Sequence, residues 1–438
     1  METKRSGIRE ALSFASGGMI NDFEQQIISI FMLMFFTDVL GIPAATAGVI
    51  YTAGFICGAV TDVIIGYIAD WGGRYRRWIL GGTIASAVAL AIMFTHFHYP
   101  EHLKALFAFL TFALWSTTFS AYIIPYNAYG ATVTTNVESR ANLNGVRYAI
   151  LAIPTIAMAI ATPYLVNARS NGSYSTVAVI FGAICIGIAI LFYAGTKDHA
   201  AVKKGERVRF LEGLKALVQN RQLLVMFFGV LFYSLIIVYY SAMSYVFTYV
   251  YESAELMSVV EIISIPAGII CALLVGPISK RIGKKKFFVI CILAFIASMM
   301  VLYFVRSSTP VILLCHTVML IATSFTPVIM EIMKADAMDY GVWTTGKNTR
   351  AFSYSFFTVA RKIAVGFSGT IIGLVLTRFD FVPNATQTAR SLDGIMTAYC
   401  IIPSVFVAVC LLLIVFGYQL NEQRMKQIGK ELSERGLA

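Results

Sequence analysis

Long apolar runs broken by short polar turns dominate this chain. Twelve such runs lie near residues 11–39, 43–70, 77–97, 104–134, 142–166, 175–195, 222–251, 256–278, 287–306, 309–334, 349–377 and 392–419. A helix of roughly 20 apolar residues crosses the ~30 Å hydrocarbon core of a bilayer, so each run predicts a transmembrane helix. The few polar positions inside the runs recur at helical spacing. Asp62, Gly66 and Asp70 stand four apart, and Asp22 is followed by Gln25 or Gln26 and then Ser29. The first set shares one broad helix face, and the second predicts a polar stripe facing the interior of a helix bundle. The predicted class is an all-α polytopic membrane protein with 12 transmembrane helices.

The turns between runs carry the orientation. Arg74, Arg76 and Arg77 follow the second run, Lys203, Lys204, Arg207, Arg209 and Lys215 lie between the sixth and seventh, and Lys280, Arg281, Lys284, Lys285 and Lys286 follow the eighth. The alternate turns, such as 41–46 and 252–255, are short and poor in Lys and Arg. The positive-inside rule then predicts both termini on the cytoplasmic side of a multi-pass membrane protein. The longest break, 197–221, predicts a cytoplasmic loop between an N-terminal half, 1–196, and a C-terminal half, 222–419, of six helices each, with 420–438 as a charged helical tail. A partial repeat supports the division. Gly66-x-x-x-Asp70-x-x-Gly73-Arg74 closes the second run, and Gly276-x-x-x-Lys280-Arg281-x-Gly283-Lys284-Lys285 closes the eighth. Six plus six spans with this turn at matching places point to the major facilitator fold, whose halves rock about a central site. Asp70 and Arg74 are its predicted cytoplasmic gate pair.

Composition narrows the classes further. Hydrophobic residues make up 58 % and charged residues 13 %, with a mean hydropathy of +0.75, against about 25 % charged in soluble domains. The net charge of +11 is spread over the short turns and serves membrane orientation, so no nucleic-acid partner is expected. The seven cysteines fall inside apolar runs without metal or redox spacing and are expected to pack. The first nine residues are polar and the first run is of spanning length, so no cleavable leader is expected. No His-rich metal spacing, phosphate-binding glycine loop or Ser/His/Asp grouping is present, which argues against an enzyme, a cofactor or a bound metal. The expected partners are the lipid bilayer and a small solute, for a chain acting as a monomer.

Ionisable residues at membrane depth are costly, and each therefore marks a candidate functional position. Asp22 lies near the midplane of the first span with Gln26 on its stripe; Glu24 points elsewhere and is an alternative ion-pair partner. Asp62 lies deeper than Asp70, where desolvation makes reversible protonation feasible, and is a candidate coupling acid or a buried strut. The fourth span offers Trp115, Ser116, Ser120, Tyr122, Pro125, Tyr126 and Asn127. Aromatic rings and an amide there suit a sugar, whose apolar face stacks while its hydroxyls hydrogen-bond. Arg147 enters the fifth span, either at the site or snorkelling. In the eleventh, Arg361 and Lys362 stand adjacent, Lys362 as a substrate contact or as counter-ion to Asp22 or Asp62. His316 is expected to be a packed histidine.

Several blocks in order, GGMINDF, FFTDVLGI, TDVIIGYIADWGGRYRRW, IIPYNAYG, SRANLNGVRYA and KADAMDYGVWTTGKNTRA, resemble the glycoside–pentoside–hexuronide cation symporters, the family of melibiose permeases and glucuronide carriers. The resemblance implies that Asp22 is the sugar-binding aspartate, Arg147 the sugar-site arginine, Lys362 the lysine of span eleven and Asp62 one of the cation-site acids. Departures accompany it. Gly58 and Ile123 stand where sodium-coupled melibiose permeases have two further aspartates, Ser120 replaces the cation-site threonine, Asn127 a stacking tryptophan, and Asn21 a basic residue beside Asp22. The expectation is proton-coupled symport of a sugar, glycoside or uronide, with an anionic substrate favoured because Arg147, Arg361 and Lys362 face fewer acids. A sodium-coupled carrier of neutral glycosides and a lipid or drug carrier on the same scaffold are the alternatives.

Overall fold

The computed structural model describes residues 8–72, 75–95, 100–133, 150, 152–167, 171–197, 218–346 and 350–435. These are helical almost throughout: α1 (Ile8–Met34), α2 (Ala44–Gly72), α3 (Tyr75–Met93), α4 (Glu101–Val133), α5 (Ala152–Asn167), α6 (Asn171–Gly195), α7 (Arg221–Ser234), α8 (Ile237–Tyr245), α9 (Ala254–Ile282), α10 (Lys284–Phe304), α11 (Thr309–Thr345), α12 (Arg350–Arg378), α13 (Ala389–Met396), α14 (Ile402–Gly417) and α15 (Glu422–Glu434). Each of the twelve predicted spans coincides, in whole or in part, with one or two of these helices. Among the described residues nine helical segments are long and apolar enough to cross a membrane.

Three kinds of feature depart from plain spans. Leu235 and Ile236 interrupt the seventh span, where Ile236 N–H bonds the Tyr233 carbonyl at 3.0 Å and Val238 N–H that of Leu235 at 3.1 Å, a tighter pattern than the α-helix. Wide π turns occupy Phe35–Val39, Val246–Val250 and Thr397–Ile401. The tenth span, expected to end at 334, runs on to Thr345 because its polar extension packs against α15.

Lipid-facing and packed faces separate cleanly. On α2 the side chains of Ile56, Val60, Ile64 and Ile68, four apart, are exposed, while Tyr51, Gly54 and Gly58 on other faces are buried. Exposed apolar stripes of this length are stable only against lipid.

By packing, the chain forms two compact units. One comprises Met1–Lys203, Tyr240–Ile265 and Ser368–Ile395; the other comprises Lys204–Tyr239, Pro266–Phe367 and Met396–Ala438. The first unit therefore holds segments of both predicted six-helix halves. In it α2 and α12 touch backbone to backbone: a Cβ added at Gly48 would lie 2.4 Å from the Gly369 carbonyl oxygen, and one at Gly373 would lie 2.3 Å from that of Ala44. Small residues permit such crossings between membrane helices. Thr52 and Thr370 share a hydroxyl hydrogen bond of 2.6 Å at the same crossing.

In the second unit the Lys284 ammonium is ion-paired to Asp336, which also accepts the Tyr418 hydroxyl at 2.7 Å. Lys285 donates to the carbonyls of Val415 and Tyr418 at 2.8 and 2.7 Å, capping the end of α14. The tail helix α15 starts at Asn421, whose side chain caps Arg424 N–H at 2.7 Å. Its apolar face, Ile428 and Leu432, packs on Val342 and Trp343 of α11.

Candidate functional site

Helix α1 carries acids on two different faces. Residues two apart in a helix point about 200° apart, so Asp22 and Glu24 meet different neighbours. Asp22 is half-buried and accepts from Asn21 Nδ2 at 3.2 Å. Gln26, one turn on, donates to Thr155 Oγ1 of α5 at 3.4 Å. Glu24 is fully buried, its two carboxylate oxygens taken by Ser86 Oγ of α3 and Trp115 Nε1 of α4, both at 2.8 Å. Glu24 is thus held by neutral donors from two helices, and the ion pair considered for it from sequence is not the arrangement found.

The aromatic pair of α4 is placed differently from the sequence expectation. Tyr122 and Tyr126 are both 0 % exposed. The Tyr122 hydroxyl donates to the Gly17 carbonyl at 2.6 Å and the Tyr126 hydroxyl to that of Phe14 at 2.9 Å. Their rings stack at 5.7 Å, and Tyr126 stacks on Phe14 at 5.1 Å. Both hydroxyls therefore bind α1 to α4 rather than stand open to a solute. The cause is the small side at Gly17, over which Tyr126 closes to within 2.8 Å of where a Cβ would sit. Asn127, the next residue, is exposed.

Asp62 is half-buried on α2, one turn beyond Gly58. Ser120 of α4 is buried and donates to the Ser116 carbonyl at 2.9 Å, with the Gly58 carbonyl 3.4 Å away. A Cβ at Gly58 would fall 2.0 Å from Ser116 Oγ. The serine occupies the space into which any side chain at 58 would project.

In the second unit, Lys362 is half-buried and its neighbour Arg361 is exposed, as the ~100° step between consecutive helical residues requires. A further cation, Lys334 of α11, is buried, pairs with Glu331 at 2.5 Å and lies 5.5 Å from the centre of the Phe357 ring of α12. Sequence reading passed over it because the charges at 331 and 334 fell at the end of a predicted span. His316 is buried with Nε2 3.4 Å from the Tyr399 hydroxyl. Arg74 and Arg147 lie outside the described residues, as does the side chain of Asp70.

A bundle of apolar helices with carboxylates and lysines at membrane depth, and short connections between, is that of a polytopic transporter of the major facilitator class. The family model of MFS/sugar transport proteins matches residues 13–422, and the chain belongs to that family, in its glycoside–pentoside–hexuronide branch. It is 28 % identical to the "Uncharacterized symporter YjmB" of Bacillus subtilis over 99 % of this chain and 96 % of that protein. It is 26 % identical to the "Glucuronide carrier protein homolog" of Escherichia coli, covering 98 % and 96 %. In fold it resembles a D-xylose-proton symporter with a TM-score of 0.67 at 14 % identity, covering 92 % and 96 %. The protein is a multi-pass membrane transporter of the sugar-transport type and not an enzyme.

Proposed function

We propose that the protein is a proton-coupled symporter that carries an acidic sugar or uronide across the bacterial inner membrane, with both termini cytoplasmic and the halves 1–196 and 222–419 moving about a shared path. The observation that carries the choice of ion is the Gly58–Ser116 contact. A hard cation such as Na⁺ requires several oxygen ligands, whereas a proton requires one titratable group. With Ser116 Oγ filling the space beside Gly58, and the Ser120 hydroxyl donated to a helix carbonyl, Asp62 remains as the coupling acid. Asp22, Arg147 and Lys362 form the substrate set, with Gln26, Asn127 and Arg361 as its further polar members; charge-assisted hydrogen bonds from the basic groups suit a carboxylate. Similarity to a glucuronide carrier homolog supports that class of substrate.

The test is the external pH change when neutral glycosides, pentosides and uronides are added to de-energised cells, with and without Na⁺. Alkalinisation by uronides, abolished by Asp62→Asn, is the expected result. Sodium-stimulated uptake without a pH response overturns proton coupling, and a response confined to neutral glycosides overturns the acidic substrate.

A further inference from the structure

The ends of α1 and of the α7–α8 span share a pattern. Phe36-Thr37-Asp38-Val39 and Phe247-Thr248-Tyr249-Val250 each lie in a π turn. Their backbone bonds repeat position by position. Leu40 N–H bonds the Phe35 carbonyl at 3.0 Å and Ile42 N–H that of Phe36 at 2.9 Å; Tyr251 N–H bonds the Val246 carbonyl at 2.9 Å and Ser253 N–H that of Phe247 at 3.0 Å. Asp38 and Tyr249 are thus equivalent positions in an internal repeat, and they meet. The Tyr249 hydroxyl donates to Asp38 Oδ2. Thr37 adds a 2.6 Å bond to Asp38 Oδ1 and a 2.9 Å contact with the Tyr245 hydroxyl.

A third segment completes the cluster. Asn384 adopts a left-handed backbone with φ 58°, which asparagine tolerates well. In that conformation its side chain donates to the Asp38 carbonyl at 2.6 Å and its backbone N–H to the Tyr249 hydroxyl at 3.1 Å. Beyond this cluster lies a cavity of about 460 Å³ lined by Thr248, Tyr249, Glu252, Asn384, Thr386 and Gln387 among others. The Gly48–Gly369 crossing and the Thr52–Thr370 bond lie in the same compact unit as this cluster.

We propose that the paired π turns are gate elements of the transport cycle, with Asp38, Tyr249 and Asn384 forming the lock that holds this end of the bundle shut and the cavity as the vestibule left outside it. The inference rests on reading the two halves as bodies that move during transport. Three features favour a lock over a fixed strut. The Tyr249–Asp38 and Asn384–Asp38 bonds join segments from different predicted halves, and both are hydrogen bonds whose partners water can replace. A π turn inserts an extra residue per turn and is the form in which helices accommodate local rearrangement at functional places. Equivalent positions of the repeat meet each other, so a rocking motion of the halves separates both partners together. Asp38, Tyr249 and Asn384 act as positioning residues: they set which side the substrate path faces and do not themselves hold the sugar.

The test places T52C in a protein whose one non-buried native cysteine is removed by Cys57→Ser, and follows labelling by a membrane-impermeant maleimide added from the cavity side. Tyr249→Phe and Asp38→Asn are each expected to raise the labelling rate about tenfold, with the double variant no faster than either single one. For whichever sugar is carried, they lower the external half-saturation concentration while lowering the maximal rate, since favouring the open state raises apparent affinity and slows the return step. A purely structural role lowers the amount of folded protein and leaves labelling per molecule and half-saturation unchanged, and that result overturns the lock. Asn384→Ala, in an exposed loop, carries the same test should Tyr249→Phe not fold. Labelling needs no substrate, so its failure is separable from failure of the sugar and proton assignments.

Discussion

Substituting Gly48 by alanine probes how the α2–α12 crossing sets the conformational balance. The added methyl would sit 2.4 Å from the Gly369 carbonyl oxygen and 2.9 Å from Thr370 Cα. Ordinary carbon–oxygen contacts begin near 3.3 Å, so the two backbones must part by about 1 Å. Neither obstacle is a flexible side chain. Overpacking of this kind costs about 1–3 kcal/mol, equivalent to about a 5- to 150-fold shift of a two-state equilibrium away from the closed arrangement. The assay is maleimide labelling of T52C in the Cys57→Ser protein, since Thr52 is half-buried against Thr370 at this crossing. Gly48→Ala should accelerate labelling within that range, and Gly373→Ala, whose methyl would meet the Ala44 carbonyl at 2.3 Å, should do the same. Equal amounts of folded protein with unchanged labelling would refute the reasoning, because the methyl would then have been absorbed without separating the helices.

Four further outcomes are expected. Trp115→Phe removes one of the two donors to the buried Glu24 carboxylate and should destabilise the protein by about 1–3 kcal/mol, read by thermal unfolding in detergent, with Glu24→Gln milder because its amide oxygen still accepts. Gly58→Asp alone should not introduce sodium-stimulated uptake, because Ser116 Oγ blocks its side chain, whereas Gly58→Asp with Ser116→Ala should; equal sodium response in both would contradict the steric argument. Lys284→Ala strands Asp336 in a largely buried setting and should cost about 3–5 kcal/mol, much of it recovered in Lys284→Ala with Asp336→Ala, as a double-mutant cycle on unfolding would measure. The Glu431 carboxyl is held below its ordinary value of 4.5, first by the 2.5 Å hydrogen bond from Trp343 Nε1 and then by Gln427. A lowered value means the stabilisation of tail docking is present above 4.5 and is lost as pH falls through the lowered value. Protease protection of α15 during acid titration should show release there, and Trp343→Phe should move release up toward 4.5.

Hydropathy summed over about 20 residues is a local property, so the spans and the all-helical class could be read from the chain directly. The same holds for directions within one helix: the ~200° between Asp22 and Glu24, and the ~100° between Arg361 and Lys362, follow from helical geometry. What each side chain then meets was decided by packing. Tyr122 and Tyr126 carry the residue types expected of a sugar site, yet the small residue at Gly17 lets α4 approach α1 until their hydroxyls reach helix carbonyls. Glu24 finds Ser86 and Trp115, 62 and 91 residues away, and Asp38 finds Tyr249, 211 residues away. The match of 36–39 to 247–250 emerged only once both were seen to be π turns, because an α-helix and a π turn share the same apolar pattern and differ by a single hydrogen-bond register. Rotation and register of one helix against another depend on where small residues allow backbones to touch, and that is settled only when distant segments pack together.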